Sequence, residues 1–192
     1  MYGDKLIMDP EHDQPILAVI DSGTTLVMVP AKCYEGVMMG IADKVRDDPT
    51  VAFVCTREEG AKALGACYFN NTRCLDVSKH MEPMKFIFGN VVYELKIDAF
   101  LKDVTNDGKV AESPPGPVEP GETYDGGCMI ELRPQKDKED DSSPTQFLMG
   151  NSYLKNFVSV YDYDQQAVKL GVNVHSESLA KAYPYKKHMF KK

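Results

Sequence analysis

One apolar stretch near the start of the chain is cut in two by a polar loop. Ile16–Ile20 is continuous and apolar, Asp21-Ser22-Gly23-Thr24-Thr25 interrupts it, and residues 26–29 resume it. Five apolar residues in a row fit a short strand buried on both faces. A strand that halts at a carboxylate and restarts within a few residues must turn tightly. Gly23 lets the backbone come close there, and Ser22 and Thr24 bring hydroxyls. A carboxylate that accepts several hydrogen bonds is stabilised in its charged form. The loop therefore has the composition of a site that keeps Asp21 ionised in acid.

The remaining pattern is mostly of short strands. Residues 5–8 are a short apolar run closed by Asp9-Pro10 and read as a strand. Pro30 opens a helix in which Tyr34, Val37, Met38, Ile41 and Val45 share one face. Asp47-Asp48-Pro49 ends it, because proline disfavours helix in the residue before it. Residues 55–79 are polar and cysteine-bearing and read as loops held by a bridge. Met84–Phe88 and residues 91–96 flank Gly89-Asn90, the signature of a tight β-hairpin. Residues 103–127, rich in Pro, Gly and acid, read as a long surface loop, and 128–132 as a strand. Residues 136–144 are charged; the acidic stretches read as solvated insertions. Residues 147–149 read as a short buried strand and 151–155 as a short helix. Residues 158–161 and 168–172 flank 162–166 as a second hairpin. Residues 175–192 read as a polar, finally basic, tail. Many short strands with few helices predict a mostly-β domain, without a repeat of solenoid or propeller period.

Size and charge narrow the classes. At 192 residues and 43% hydrophobic, the chain suits one domain or one lobe of a larger fold. A net charge of -7 argues against nucleic acid, whose phosphates call for a basic footprint. No apolar run approaches the ~20 residues of a membrane span. Met1-Tyr2-Gly3-Asp4-Lys5 lacks the basic and apolar regions of a signal peptide, so a leader is expected upstream if the native protein is secreted. The cysteines, Cys33, Cys55, Cys67, Cys74 and Cys128, form no C-x-x-C pair. They allow at most two bridges and leave one over. With the sequon Asn70-Asn71-Thr72, they favour an oxidising compartment of the secretory pathway, lysosome-like, vacuole-like or extracellular. Buried thiols of a reduced protein are the other reading. His12, His80, His175 and His188 share no metal-ligand spacing, and no metal or cofactor is expected.

Ala18-Val19-Ile20-Asp21-Ser22-Gly23-Thr24-Thr25-Leu26 resembles the second active-site motif of the pepsin-like aspartic proteases, a group that includes pepsin, cathepsin D and the plasmepsins. Phe147-Leu148-Met149-Gly150-Asn151-Ser152-Tyr153-Leu154 resembles the apolar-apolar-Gly segment that passes beside the catalytic loop in that family. Val158-Ser159-Val160-Tyr161-Asp162, then Val168-Lys169-Leu170-Gly171-Val172, resembles its closing hairpin. Phe86-Ile87-Phe88-Gly89-Asn90 with Tyr93-Glu94-Leu95 resembles its middle hairpin. The resemblance runs in order from about residue 2 to residue 174. First lobes of the family usually carry D-T-G-S and a flap hairpin with a tyrosine. Thr24 in the fourth position, with no such flap downstream, resembles the second lobe.

The resemblance implies a C-terminal lobe of double-psi β-barrel type over residues 1–174, with a tail over 175–192. It implies that Asp21 is one of two catalytic aspartates sharing a proton. Ser22 would clamp the opposite lobe, Gly23 and Thr24 would support the Asp21 carboxylate, and Thr25 would lie near the peptide. Cys74 and Cys128 match the lobe's usual bridge; Cys55 and Cys67 are left for a local one. Cys33 is then over, open to a bridge with another chain. The implied activity is that of an aspartic endopeptidase subunit acting on an extended polypeptide, with apolar residues favoured beside the cut. Its second aspartate would come from an N-terminal lobe or light chain. A homodimer with two copies of Asp21 is a weaker alternative. A catalytically inactive binding or structural subunit of a larger assembly is the rival function.

Overall fold

The computed structural model describes residues 1–8, 16–57, 64–107, 109, 111, 124–135, 145–176 and 178–186. In chain order the first elements are β1 (Ile16–Ile20), β2 (Val27–Pro30), α1 (Ala31–Val45), β3 (Ala52–Cys55), β4 (Cys67–Asn70) and α2 (Cys74–Ser78). Then come β5 (Met84–Phe88), β6 (Val91–Leu95), a 3-10 turn (Ile97–Phe100), β7 (Leu101–Val104), β8 (Gly127–Ile130) and β9 (Leu132–Gln135). The last are β10 (Thr145–Met149), α3 (Asn151–Leu154), β11 (Phe157–Asp162), β12 (Ala167–Val172) and β13 (Lys181–Pro184). The fold is mostly β, as expected.

The sheet that matters for the site has the order β1-β10-β2-β9. β1 runs parallel to β10, with Ile20 opposite Met149. β10 runs antiparallel to β2, and β2 parallel to β9. A distant strand, β10, is thus threaded between the two halves of the interrupted apolar stretch. The other sheets are β3-β4-β8-β7, β13-β6-β5 and the hairpin β11-β12.

Local chemistry explains the elements. Pro30 ends β2 because it has no N–H to donate, and its extended backbone starts α1. The predicted face of α1 is the buried one: Tyr34, Val37, Met38, Ile41 and Val45 are each at most 4% exposed. Each large apolar side chain so buried contributes about 1.5–3 kcal/mol. Both predicted hairpins are present, β5-β6 and β11-β12. Gly89 turns the first with φ +57, a left-handed conformation that glycine adopts without cost. Phe86, Tyr153 and Phe157 form an aromatic cluster, with ring centroids 5.2 Å apart edge-on and 4.7 Å apart tilted, that seats α3 on the core.

Several expectations need correction. Residues 5–8 form no strand; Tyr2 makes isolated bridges to Lys5 and Met84, because Gly3 at φ +56 turns the chain back and drops Tyr2 into the core. The proposed stop, Asp9-Pro10, lies outside the described residues. Residues 55–79 are not only loops: β4 and α2 lie within them. Residues 128–132 are not one strand but break at Glu131, where the chain leaves one sheet for another. β1 is not covered on both faces: Leu17 is 50% and Val19 38% exposed, because β1 is an edge strand. Phe147 and Leu148 are only partly buried. Within the expected tail, Lys181–Pro184 pairs antiparallel with β6, with Tyr183 donating to Glu94 at 2.8 Å. Most of the acidic loop, residues 136–144 and the last lysines fall outside the described residues, as do His12 and His188.

Both bridges expected from the resemblance and its remainder are formed, Cys74–Cys128 and Cys55–Cys67. The second joins directly opposed residues of β3 and β4. Cys33 joins neither. It is 5% exposed, with its Sγ 3.7 Å from Met8 Sδ.

Candidate active site

Asp21 leaves the end of β1, and its N–H donates to the Met149 carbonyl of β10 at 3.2 Å. Its carboxylate is gripped from within its own loop. The Gly23 N–H donates to Oδ1 at 2.8 Å, and the Thr24 hydroxyl donates to Oδ2 at 2.7 Å. A Cβ on Gly23 would stand 3.1 Å from Oδ1, so the glycine is what permits the approach. The Thr24 hydroxyl first, and the Gly23 N–H second, hold the Asp21 carboxyl below its ordinary range. Asp21 and Thr24 are half-buried; Ser22, Gly23 and Thr25 are exposed. The five residues singled out from the sequence are therefore together on one outward-facing loop.

The loop is held from behind by Gly150-Asn151-Ser152, in the segment that the resemblance sets beside the catalytic loop, and by Glu131, which sequence reasoning passed over. Gly150 sits so close that a Cβ there would meet the Leu26 carbonyl oxygen at 2.2 Å and that of Thr24 at 2.5 Å. Asn151 donates its N–H to the Thr24 carbonyl at 2.8 Å and its Nδ2 to the Ser22 carbonyl at 3.0 Å. Ser152 donates its N–H to the Thr25 carbonyl at 2.9 Å, and its Oγ lies 2.8 Å from the same oxygen. Val27 donates to the Glu131 carbonyl at 3.1 Å, and Glu131 to that of Phe100 at 2.6 Å. The carbonyls of residues 22, 24 and 25 all accept from Asn151 or Ser152. A loop so bonded presents Asp21 in one orientation. The available signal was the polar pair Asn151-Ser152 directly after a buried apolar strand and a glycine.

Elsewhere, Asn70 is exposed at the end of β4, and the buried Thr72 hydroxyl donates to its carbonyl at 2.8 Å. Among the described residues, no group of three or more His, Cys, Asp or Glu is placed to hold a metal. No helix among the described residues is long and apolar enough to cross a membrane.

Comparison with known proteins bears on the family and the fold. No curated protein matches the chain. Among solved structures, the crystal structure of an aspartic proteinase from Irpex lacteus is similar, with a TM-score of 0.51 and 13% identity. The match covers 84% of this chain but 38% of that one, so the shared fold spans well under half of the longer protein. A family model described as eukaryotic aspartyl protease matches residues 4–173. The chain belongs to the eukaryotic aspartyl protease family.

Proposed function

We propose that this chain is the C-terminal lobe of an aspartic endopeptidase, and that Asp21 is one of its two catalytic aspartates. The observation that carries the reading is the Asp21 carboxylate, held by the Gly23 N–H and the Thr24 hydroxyl on an exposed loop. One carboxylate is half of the required pair. The second aspartate comes from a separate N-terminal lobe or light chain. The uncovered apolar side chains of β1 and β11, Leu17, Val19, Val158 and Val160, are what such a partner would cover.

In the assembled site two close carboxylates share one proton, since both cannot ionise. The donors on Asp21 bias it toward the ionised form, and the pair titrates as a unit. The pair takes a proton from a water whose oxygen attacks the scissile carbonyl carbon. A proton then passes to the leaving amide nitrogen as the C–N bond breaks. Ser22, exposed beside Asp21, would hydrogen-bond the opposite lobe, and Thr25 would lie along the extended polypeptide. No metal or cofactor enters this scheme.

The two disulfides and the exposed Asn70 support maturation in the secretory pathway, with Asn70 glycosylated. A mass loss on N-glycanase treatment of source-isolated protein, absent from Asn70→Gln, is the expected result; no shift would remove the glycan from the proposal.

The activity is tested with a quenched fluorogenic peptide over an acid-to-neutral pH series, using the chain alone and as isolated from its source. Cleavage by the source material only, lost at least a hundredfold or so in Asp21→Asn, is expected. Cleavage by the lone chain with the same loss would instead mean a homodimer. Absence of cleavage in both would favour the inactive binding subunit.

A further inference from the structure

The helix that grips the Asp21 loop is too short to hold itself. α3 has four residues, Asn151–Leu154, fewer than an isolated helix needs to persist in water. Asn151 and Ser152, at its start, hold the carbonyls of residues 22, 24 and 25. Its other end is fixed by Asn156, which is 1% exposed. The Asn156 Nδ2 donates to the Ser152 carbonyl at 2.9 Å and to the Tyr153 carbonyl at 3.0 Å. It thereby satisfies oxygens of the kind that a helix end leaves without an intrahelical partner.

The same side chain faces the C-terminal segment. Its Oδ1 accepts from the Ser176 hydroxyl at 2.6 Å and from the Ser178 hydroxyl. Its main-chain carbonyl accepts the Asn173 N–H at 3.0 Å, just past β12. An amide is the group this place requires, since it donates twice and accepts twice, whereas a carboxylate would accept alone. The far end of the contact is itself anchored. Ser178 is 3% exposed, and its carbonyl accepts the Lys96 N–H at 3.4 Å where β6 ends.

Ser152 is therefore held on both sides of its residue. Its N–H donates to the Thr25 carbonyl at 2.9 Å, and its own carbonyl accepts from Asn156. A continuous run of hydrogen bonds joins Ser176 and Ser178 to Asn156, Ser152 and the end of the Asp21 loop. We propose that Asn156 is a positioning residue, which fixes Ser152, and through it the Thr25 end of the Asp21 loop, against Ser176 and Ser178. The catalytic side of this proposal rests on the reading of Asp21 given above; the hydrogen-bond side does not.

Two measurements separate the two sides. The first is amide hydrogen exchange on the full chain. In Asn156→Ala the Ser152 N–H is expected to gain about tenfold in exchange rate, the effect of one lost hydrogen bond, over any gain at Met38 and Ile41 in α1. An unchanged Ser152 rate, or an equal gain at all three amides, overturns the proposal, the second because Asn156 would then support the fold as a whole. Ser176→Ala keeps the amide and removes one of its anchors, and it decides the matter if Asn156→Ala does not fold. The same selective gain at Ser152, at least about twofold, is expected, and its absence overturns the proposal. The second measurement uses the source-type active assembly. Asn156→Ala is expected to lower kcat about tenfold with KM little changed, and Ser176→Ala to lower it in the same sense by less. Wild-type kcat in both variants overturns the proposal. If wild type cleaves nothing, the activity reading fails, and the exchange result alone decides the role of Asn156.

Discussion

At the residue scale, the state of Asp21 is set by two short donors, and the larger effect comes from Thr24. A carboxyl held below its ordinary range favours the folded loop above that range, and the benefit is lost as pH falls through the lowered value. Thr24→Ala removes the first cause and leaves the Gly23 N–H. The Asp21 titration is then expected to move up toward the ordinary carboxylate value, and the loss of loop order to begin at higher pH. Carbon-detected NMR titration of the Asp21 carboxyl in the lone chain measures this directly, before any second aspartate couples to it. A midpoint that stays put or falls would mean that the Thr24 contact does not stabilise the charge. Asp21, Ser22, Gly23, Thr24 and Thr25 were legible because they are contiguous, and a loop motif carries its own chemistry. Glu131 and Ser152 were not. The family resemblance alone set the segment of Ser152 beside the loop, without its contacts, and nothing in the neighbourhood of Glu131 says that a strand break meets that helix start behind residue 25.

At the element scale, legibility followed length and periodicity. The fifteen residues of α1 repeat their apolar face often enough to be read, and Gly89-Asn90 announces the β5-β6 turn. β3 and β4 have four residues each with alternating burial, too few for a period of two to stand out from polar surroundings. β13, Lys181-Ala182-Tyr183-Pro184, has no apolar pattern at all. It is a strand because β6 offers an open edge and because buried Asn156 draws in the preceding segment by accepting from Ser176 and Ser178. The two disulfides staple these short strands to unequal extents. Cys74–Cys128 closes a separation of 54 residues and Cys55–Cys67 one of 12. Loop-closure entropy then gives about 4 kcal/mol for the first and about 3 for the second. Paired Cys→Ser replacement is expected to lower the unfolding free energy more for Cys74/Cys128, as measured by urea denaturation of the oxidised proteins. The reverse order would show that native packing around β3 and β4, and not chain entropy, decides their worth.

At the scale of the whole molecule, apolar side chains stand exposed on two strands. Val158, Val160 and Val168 are 59%, 53% and 44% exposed on a hairpin, and Leu17 and Val19 are uncovered on the strand that carries Asp21. A domain that stood alone would gain by replacing such side chains with polar ones, since scattered apolar exposure is ordinary but apolar side chains aligned on one strand are an invitation to association. If they are the seat of the second lobe, substitution there must weaken assembly while sparing the fold. Val158→Asp with Val160→Asp removes no buried contact of the lone chain, so its unfolding midpoint is expected to change little, as exposed positions usually shift stability by about 0.5 kcal/mol or less. Affinity for the co-purifying lobe is expected to fall at least about tenfold, because truncated or charged anchors at an interface centre cost over 1 kcal/mol each. Native mass and sedimentation on the wild-type and double-variant chains read both effects. Unchanged assembly would move the partner to another face and leave the hairpin as ordinary surface. A lone wild-type chain that already sediments as a dimer, broken by the same variant, would give Asp21 a second copy of itself as its opposite number.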